Sequence, residues 1–251
     1  MLPILQIEVS AYALFATIGL VCAAIFTYFR IDKADLTFKQ YLIYLGACAV
    51  GALIGARLLF VIAMLPQMDI TLNNIGYYLI NGGIVFYGGM LGMILGIFIL
   101  SRVIHKNFCV VMDIIAPAIP LFHFFARIGC LFAGCCYGIP WGWGVIMMDS
   151  PDVIRFPVQI FESMCNALIF VIILVKEHRS NKTDGNTIIY LVLYAICRFI
   201  LEFFRGDAVR GIWAFGLSTA QMVSLIILCV LTISAIKNRV ALSRREYDEQ
   251  D

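Results

Sequence analysis

Seven stretches of the chain are apolar enough, and long enough, to read as membrane spans: Tyr12–Tyr28, Tyr41–Met64, Gly83–Ile104, Cys109–Cys130, Pro157–Val175, Thr187–Phe204 and Phe215–Ile236. A bilayer core of about 30 Å takes roughly 20 apolar residues of helix to cross, and only short loops separate these runs. The pattern predicts an all-α polytopic membrane protein of about seven transmembrane helices. Residues 1–251 form a single transmembrane domain in this reading, with outer-face loops at 64–82 and 131–156 and a tail at 237–251. Composition agrees: the chain is 62% hydrophobic and 14% charged, too few charges for the surface of a soluble domain. Residues 1–10 carry no Lys or Arg, unlike the basic start of a cleavable signal peptide, so the first span is expected to be a retained anchor.

The net charge of +2 excludes little, but its distribution predicts an orientation. Arg30, Lys33 and Lys39 follow the first span, Arg102 and Lys106 the third, Lys176, Arg179 and Lys182 the fifth, and Lys237, Arg239, Arg244 and Arg245 the last. The opposite loops hold only Arg155, Arg205 and Arg210. Basic loops stay in the cytoplasm, which places the N-terminus outside and the C-terminal tail inside. No basic patch or repeat of a nucleic-acid-binding protein is present.

With that orientation each polar residue within a span acquires a depth. An ionisable side chain in the membrane costs about 2.5–3.5 kcal/mol or more and needs a reason. Arg57, Arg127, Glu162, Arg198 and Glu202 all fall near the outer leaflet, as do Tyr12 and Tyr87. Tyr194, Arg198 and Glu202 are spaced i, i+4, i+8 and so share a helix face. A structural ion-pair network is one reading. The other is a cavity in which Arg57, Arg127 and Arg198 outnumber the two acids and receive an anionic phospholipid, since the guanidinium fork matches a phosphate. Gly88, Gly92 and Gly96 have the spacing of close helix packing. Gly88 and Gly89, beside Tyr87, also suit backbone approach to a ligand. Pro117 and Pro120 are expected to kink the fourth span, and His123 reads as a hydrogen-bonded core residue. A second glycine run, Gly129, Gly134, Gly138, Gly142 and Gly144, predicts an outer loop too glycine-rich for a regular helix.

These residues resemble the prolipoprotein diacylglyceryl transferase family along nearly the whole chain. Arg127-Ile128-Gly129 through Gly134 to Gly138 is similar to its signature. Gly51 to Arg57, the paired glycines of Gly82 to Gly89, Pro157 through Gln159 to Glu162, Tyr194 through Arg198 and Glu202 to Arg205, and Gly216-Leu217-Ser218 to Gln221 and Ser224 resemble further segments in the same order. The resemblance implies transfer of the diacylglyceryl group from phosphatidylglycerol to the thiol of a lipobox cysteine in exported prolipoproteins, in a bacterial plasma membrane, at a site open to the outer leaflet. It implies catalytic roles for Tyr87, Arg127, Tyr194, Arg198 and Glu202. Tyr12, Arg57, Gly88, Gly89, Gly129, Gly134, Gly138, Gln159 and Glu162 would bind the lipid and the signal peptide. No cofactor is implied.

The chain departs from the family pattern at three positions. Tyr87 stands where the family has His, Cys130 where it has Asn, and Cys135 where it has Glu. Cys130, Cys135 and Cys136 admit a disulfide from Cys130, a nucleophile, or plain packing; a bridge between the adjacent Cys135 and Cys136 is strained. No metal site is expected, because neither a His nor a fourth Cys lies near in sequence. The six other cysteines fall singly within spans and read as small apolar residues. Two alternatives stand beside the transferase: a phospholipid-dependent transferase with another acceptor, and a non-catalytic lipid-binding or transport protein. A transporter favours polar residues near the midplane, whereas these gather at one depth.

Overall fold

A computed structural model of the protein describes residues 2–4, 7–65, 71–83, 85–147, 150–207, 210–213 and 215–248. Parts of the expected loops and tail (66–70, 148–149 and 249–251), and Ile84 of the paired-glycine segment, lie outside the described residues. The chain is mostly helical: α1 (Ala11–Tyr28), α2 (Phe38–Met64), α3 (Leu72–Asn81), α4 (Phe86–Val103), α5 (Phe108–Ile115), α6 (Ala118–Phe132), α7 (Val158–Ser180), α8 (Asn186–Leu201) and α9 (Thr219–Asp248). Two antiparallel hairpins complete it, β1 (Leu2–Ile4) with β2 (Ile7–Val9), and β3 (Pro140–Met147) with β4 (Ser150–Arg155).

Among the described residues, six helical stretches are long and apolar enough to cross a bilayer. They are α1, α2, α5 together with α6, α7, Asn186–Phe204 and Thr219–Lys237. The third expected span corresponds to a shorter apolar helix, Tyr87–Val103. The kink expected at Pro117 is present: α5 stops at Ile115 and α6 restarts at Ala118. Two helices begin with the same chemistry. Thr37 and Gln40 at α2, and Ser218 and Gln221 at α9, exchange side-chain and backbone hydrogen bonds as capping boxes.

Three of the expected loop and tail segments carry regular structure. The outer loop read at 64–82 contains helix α3. The segment read as an outer loop at 131–156 holds the β3–β4 hairpin, in which Pro140, Val145, Ile146 and Met147 pair with β4 and Gly144 leaves room for the Arg155 carbonyl. The tail read from 237 is helical, as α9 runs on to Asp248.

The chain, read from sequence as one domain, packs as two compact units. One comprises residues 1–26 and 115–251, the other residues 27–114. In the second unit α2 and α4 meet along a glycine seam. A Cβ on Gly55 would strike the Gly88 carbonyl, one on Gly88 the Gly55 carbonyl, and one on Gly92 the Gly51 carbonyl. Lys106 pairs with Asp35 at 2.8 Å, tying the turn after α1 to the turn after α4. In the first unit α7 is inverted relative to a soluble helix. Gln159, Glu162, Ser163 and Asn166 are buried while Ile160, Met164, Leu168 and Val171 are exposed. Polar atoms inside and apolar side chains outside is the arrangement that lipid demands.

Candidate active site

The site of the first unit is built from α6, α7, α8 and the loops that follow α6 and α8. Ser163 donates to the Phe124 carbonyl at 3.0 Å, fixing α7 against α6. That register brings Glu162 against Arg127, whose Nε lies 3.0 Å from Glu162 Oε2. Arg198 of α8 pairs with the other oxygen of Glu162 through Nη1, and through Nη2 with Glu202 at 2.8 Å. Glu162 and Glu202 are buried at 4% and 2% exposure. Carboxylates this enclosed stay charged only when paired, and here each is held by arginine. The chain Arg127–Glu162–Arg198–Glu202 thus links three helices in one ionic layer.

Beside it lies a cavity of about 10 Å³, room for a single water molecule. Arg127, Glu162, Asn166, Tyr194, Cys197 and Arg198 line it. Tyr194 stacks on Tyr190 and tilts against His123, with ring centroids 5.5 and 5.6 Å apart. His123 lies beside Tyr194 and Asn166 in the interior.

The signature segment forms the end of α6. The Cys135 N–H reaches back to the Cys130 carbonyl at 3.1 Å and the Gly134 N–H to the Leu131 carbonyl at 3.3 Å. Gly134, at φ +71°, occupies the left-handed position between them. This pair of bonds is a Schellman motif, which explains glycine at 134. Gly138 has a different reason: its Cα lies so close to the Phe156 and Phe204 carbonyls that no Cβ fits. Gln159, wholly buried, donates to the Cys135 carbonyl at 2.9 Å and anchors the loop. Gly129 packs on the backbone of Tyr12, and the Tyr12 phenol lies within electrostatic range of Arg127 and of Cys130, Cys135 and Cys136. Of the three thiols, Cys130 is buried and Cys135 exposed. Cys136, in the loop beyond α6, is held well below the usual thiol range by hydrogen bonds from Cys130 and then Cys135.

Arg127, Gln159, Glu162, Tyr194, Arg198 and Glu202 are therefore brought together, with the signature loop and Tyr12 beside them. Arg57, Tyr87, Gly88 and Gly89 belong to the second unit. There Arg57 donates to the Gly82 carbonyl and Tyr87 is half-buried at the start of α4. Gly88 serves the glycine seam, and the Gly89 N–H bonds the Val85 carbonyl.

Sequence reasoning named Arg205 and Arg210 but missed Asp207, their partner after α8. Arg205 makes a two-point ion pair with Asp207, at 2.9 and 2.6 Å, and Arg210 donates to the Glu202 and Asp207 carbonyls, each at 3.1 Å. Asp207 thus adds a third carboxylate. Around the site the arginines Arg127, Arg198, Arg205 and Arg210 stand against the carboxylates Glu162, Glu202 and Asp207. The signal was available in the Arg205-Gly206-Asp207 spacing.

The family described as prolipoprotein diacylglyceryl transferase matches residues 1–236. A phosphatidylglycerol–prolipoprotein diacylglyceryl transferase of Polynucleobacter asymbioticus is 32% identical over 76% of this chain and 75% of its own length. One from Helicobacter hepaticus is 30% identical over 85% and 78%. One from Clostridium tetani is 27% identical over 87% and 89%. The chain, a polytopic membrane protein with a buried arginine–carboxylate layer, belongs to the prolipoprotein diacylglyceryl transferase family.

Proposed function

We propose that this protein transfers the diacylglyceryl group of phosphatidylglycerol to the thiol of a lipobox cysteine in exported prolipoproteins. The observation that carries the reading is the buried Arg127–Glu162–Arg198–Glu202 layer in a chain of this family. In the reaction a sulfur–carbon bond forms at the glyceryl carbon, the carbon–oxygen bond to phosphate breaks, and glycerol phosphate departs. The thiol proton passes to water as the thioether forms. The phosphate goes from a diester of charge −1 to a monoester of charge about −2, so negative charge grows on the leaving group. Fixed guanidinium groups aimed at that charge stabilise the transition state more than the bound lipid. Arg127 takes the donor headgroup and Arg198 assists departure. Tyr87 orients the lipid.

The same reading takes α4 as the seventh span, places the twelve basic loop residues in the cytoplasm, and opens the site to the outer leaflet of a bacterial plasma membrane. Within each unit the loops group as this requires. Lys106 bonds Asp35 in one, and Gly206 bonds Tyr137 in the other. The decisive experiment is complementation of a bacterium depleted of its own transferase. Rescue with lipid-modified precursor supports the assignment. Abundant, membrane-inserted protein that leaves the precursor unmodified contradicts it, and a different acceptor becomes the better reading.

A further inference from the structure

A Schellman motif puts the third-from-last helical side chain against the second residue beyond the cap, usually as an apolar pair. Here those two positions are Cys130 and Cys135. The next residue, Cys136, adopts the left-handed backbone at φ +55° and brings its thiol to the same point. The three Sγ atoms all lie within 4.8 Å of one another. We propose that Cys130, Cys135 and Cys136 bind one soft d10 cation, Zn²⁺ or Cu⁺, through three sulfur ligands at the end of α6.

The distances suit a cation. Zinc–sulfur bonds of about 2.3 Å put ligand sulfurs roughly 3.8 Å apart in a tetrahedral site, so the three thiols need to close by only about 1 Å. A disulfide, with sulfurs at about 2.05 Å, would use two thiols and strand the third. A nucleophilic role fails on chemistry: a lipid captured on cysteine becomes a thioether on a saturated carbon, and thiolate is too poor a leaving group there to pass it on. Charge is also provided for. Three thiolates with a cation carry net negative charge, and both Arg127 and Arg205 act electrostatically on Cys136. The frame is fixed in advance by the Cys130–Cys135 backbone bond and by Gln159 on the Cys135 carbonyl. Exposed Cys135 provides the way in. The expectation of no metal rested on the lack of a His or fourth Cys. A trigonal site needs neither, and a tetrahedral one is completed by water.

The test uses the purified full chain in detergent, reduced, stripped with chelator and freed of thiol reagents, and requires no transferase activity. Cd²⁺, as a spectroscopic stand-in for Zn²⁺, is titrated while the ultraviolet thiolate-to-metal band is followed. Cu⁺ is delivered against a coloured chelator in a parallel arm, and competition between arms identifies the preferred ion. One cation per chain is expected, with Cys130, Cys135 and Cys136 protected from alkylation by mass spectrometry. Binding should weaken at least tenfold in Cys135→Ser, vanish in the triple serine variant and persist in Cys229→Ser. Should the triple variant fail to fold, Cys135→Ser, altered at an exposed side chain, decides alone. Uptake unchanged in Cys135→Ser, all three thiols still alkylated in the presence of cation, or a Cys130–Cys136 disulfide in protein that takes up no cation once reduced, would each overturn the proposal.

Discussion

The seam between α2 and α4 and the layer among α6, α7 and α8 solve one problem in opposite ways. Both join helices in a medium where burial of apolar surface gives no advantage over lipid. The seam uses nothing but absence: Gly51, Gly55, Gly88 and Gly92 let two backbones touch, and dispersion at short range holds them. The layer uses charge: Glu162 is shared by Arg127 and Arg198, with Glu202 closing the chain. Packing alone explains the first. The second costs desolvation that an apolar interface would avoid, so its retention needs a chemical purpose. A glycine within a span is thus weak evidence of a site, and a buried charge is strong evidence.

The comparison is broken most severely at Glu162. Glu162→Ala leaves two guanidinium groups without their shared carboxylate. We expect a loss of about 3–5 kcal/mol in stability, read as a fall in Tm in detergent, together with loss of transfer. A variant that melts like the parent would show that the layer does not hold the helices. Next comes the seam. Gly92→Val drives a side chain into the Gly51 carbonyl and should cost about 1–3 kcal/mol by overpacking. Transfer per folded molecule should be kept, and a matching drop in specific activity would give the seam a chemical role as well. The smallest effect is expected at Tyr87. Loss of one orienting hydroxyl in Tyr87→Phe should slow transfer to a lipobox peptide about two- to tenfold, the worth of one hydrogen bond, at every pH. Equal rates would leave Tyr87 as filler. A sharp rise in Tyr87→His would mark the native chain as a weakened transferase.

The sequence carried the spans because a long apolar run needs no partner to be recognised. It carried Arg198 and Glu202 because a pair four residues apart on one helix is local. The sharing of Glu162 by Arg127 and Arg198 depends on the register between helices, fixed by bonds such as Ser163 to Phe124, and register is not written in either helix alone. The β3–β4 hairpin escaped for a related reason. Its glycines argue only against a helix, yet Gly144 is what lets β4 approach. Asp207 was passed over because a loop acid next to a span looks solvated until its partner, Arg205, is seen to be buried with it at 7% exposure.

The central claim is that the arginines of the layer hold the donor phosphate by their geometry and not by charge alone. It is tested most directly by Arg127→Lys. The initial rate of transfer from phosphatidylglycerol vesicles to a lipobox peptide, with released glycerol phosphate counted against thioether formed, is measured for wild type and variant of equal Tm. The account predicts one glycerol phosphate per thioether in the wild type. In Arg127→Lys it predicts a loss of about 2 kcal/mol of transition-state stabilisation, roughly thirtyfold in rate, because ammonium keeps the charge and loses the fork. Transfer by Arg127→Lys at the wild-type rate would contradict it.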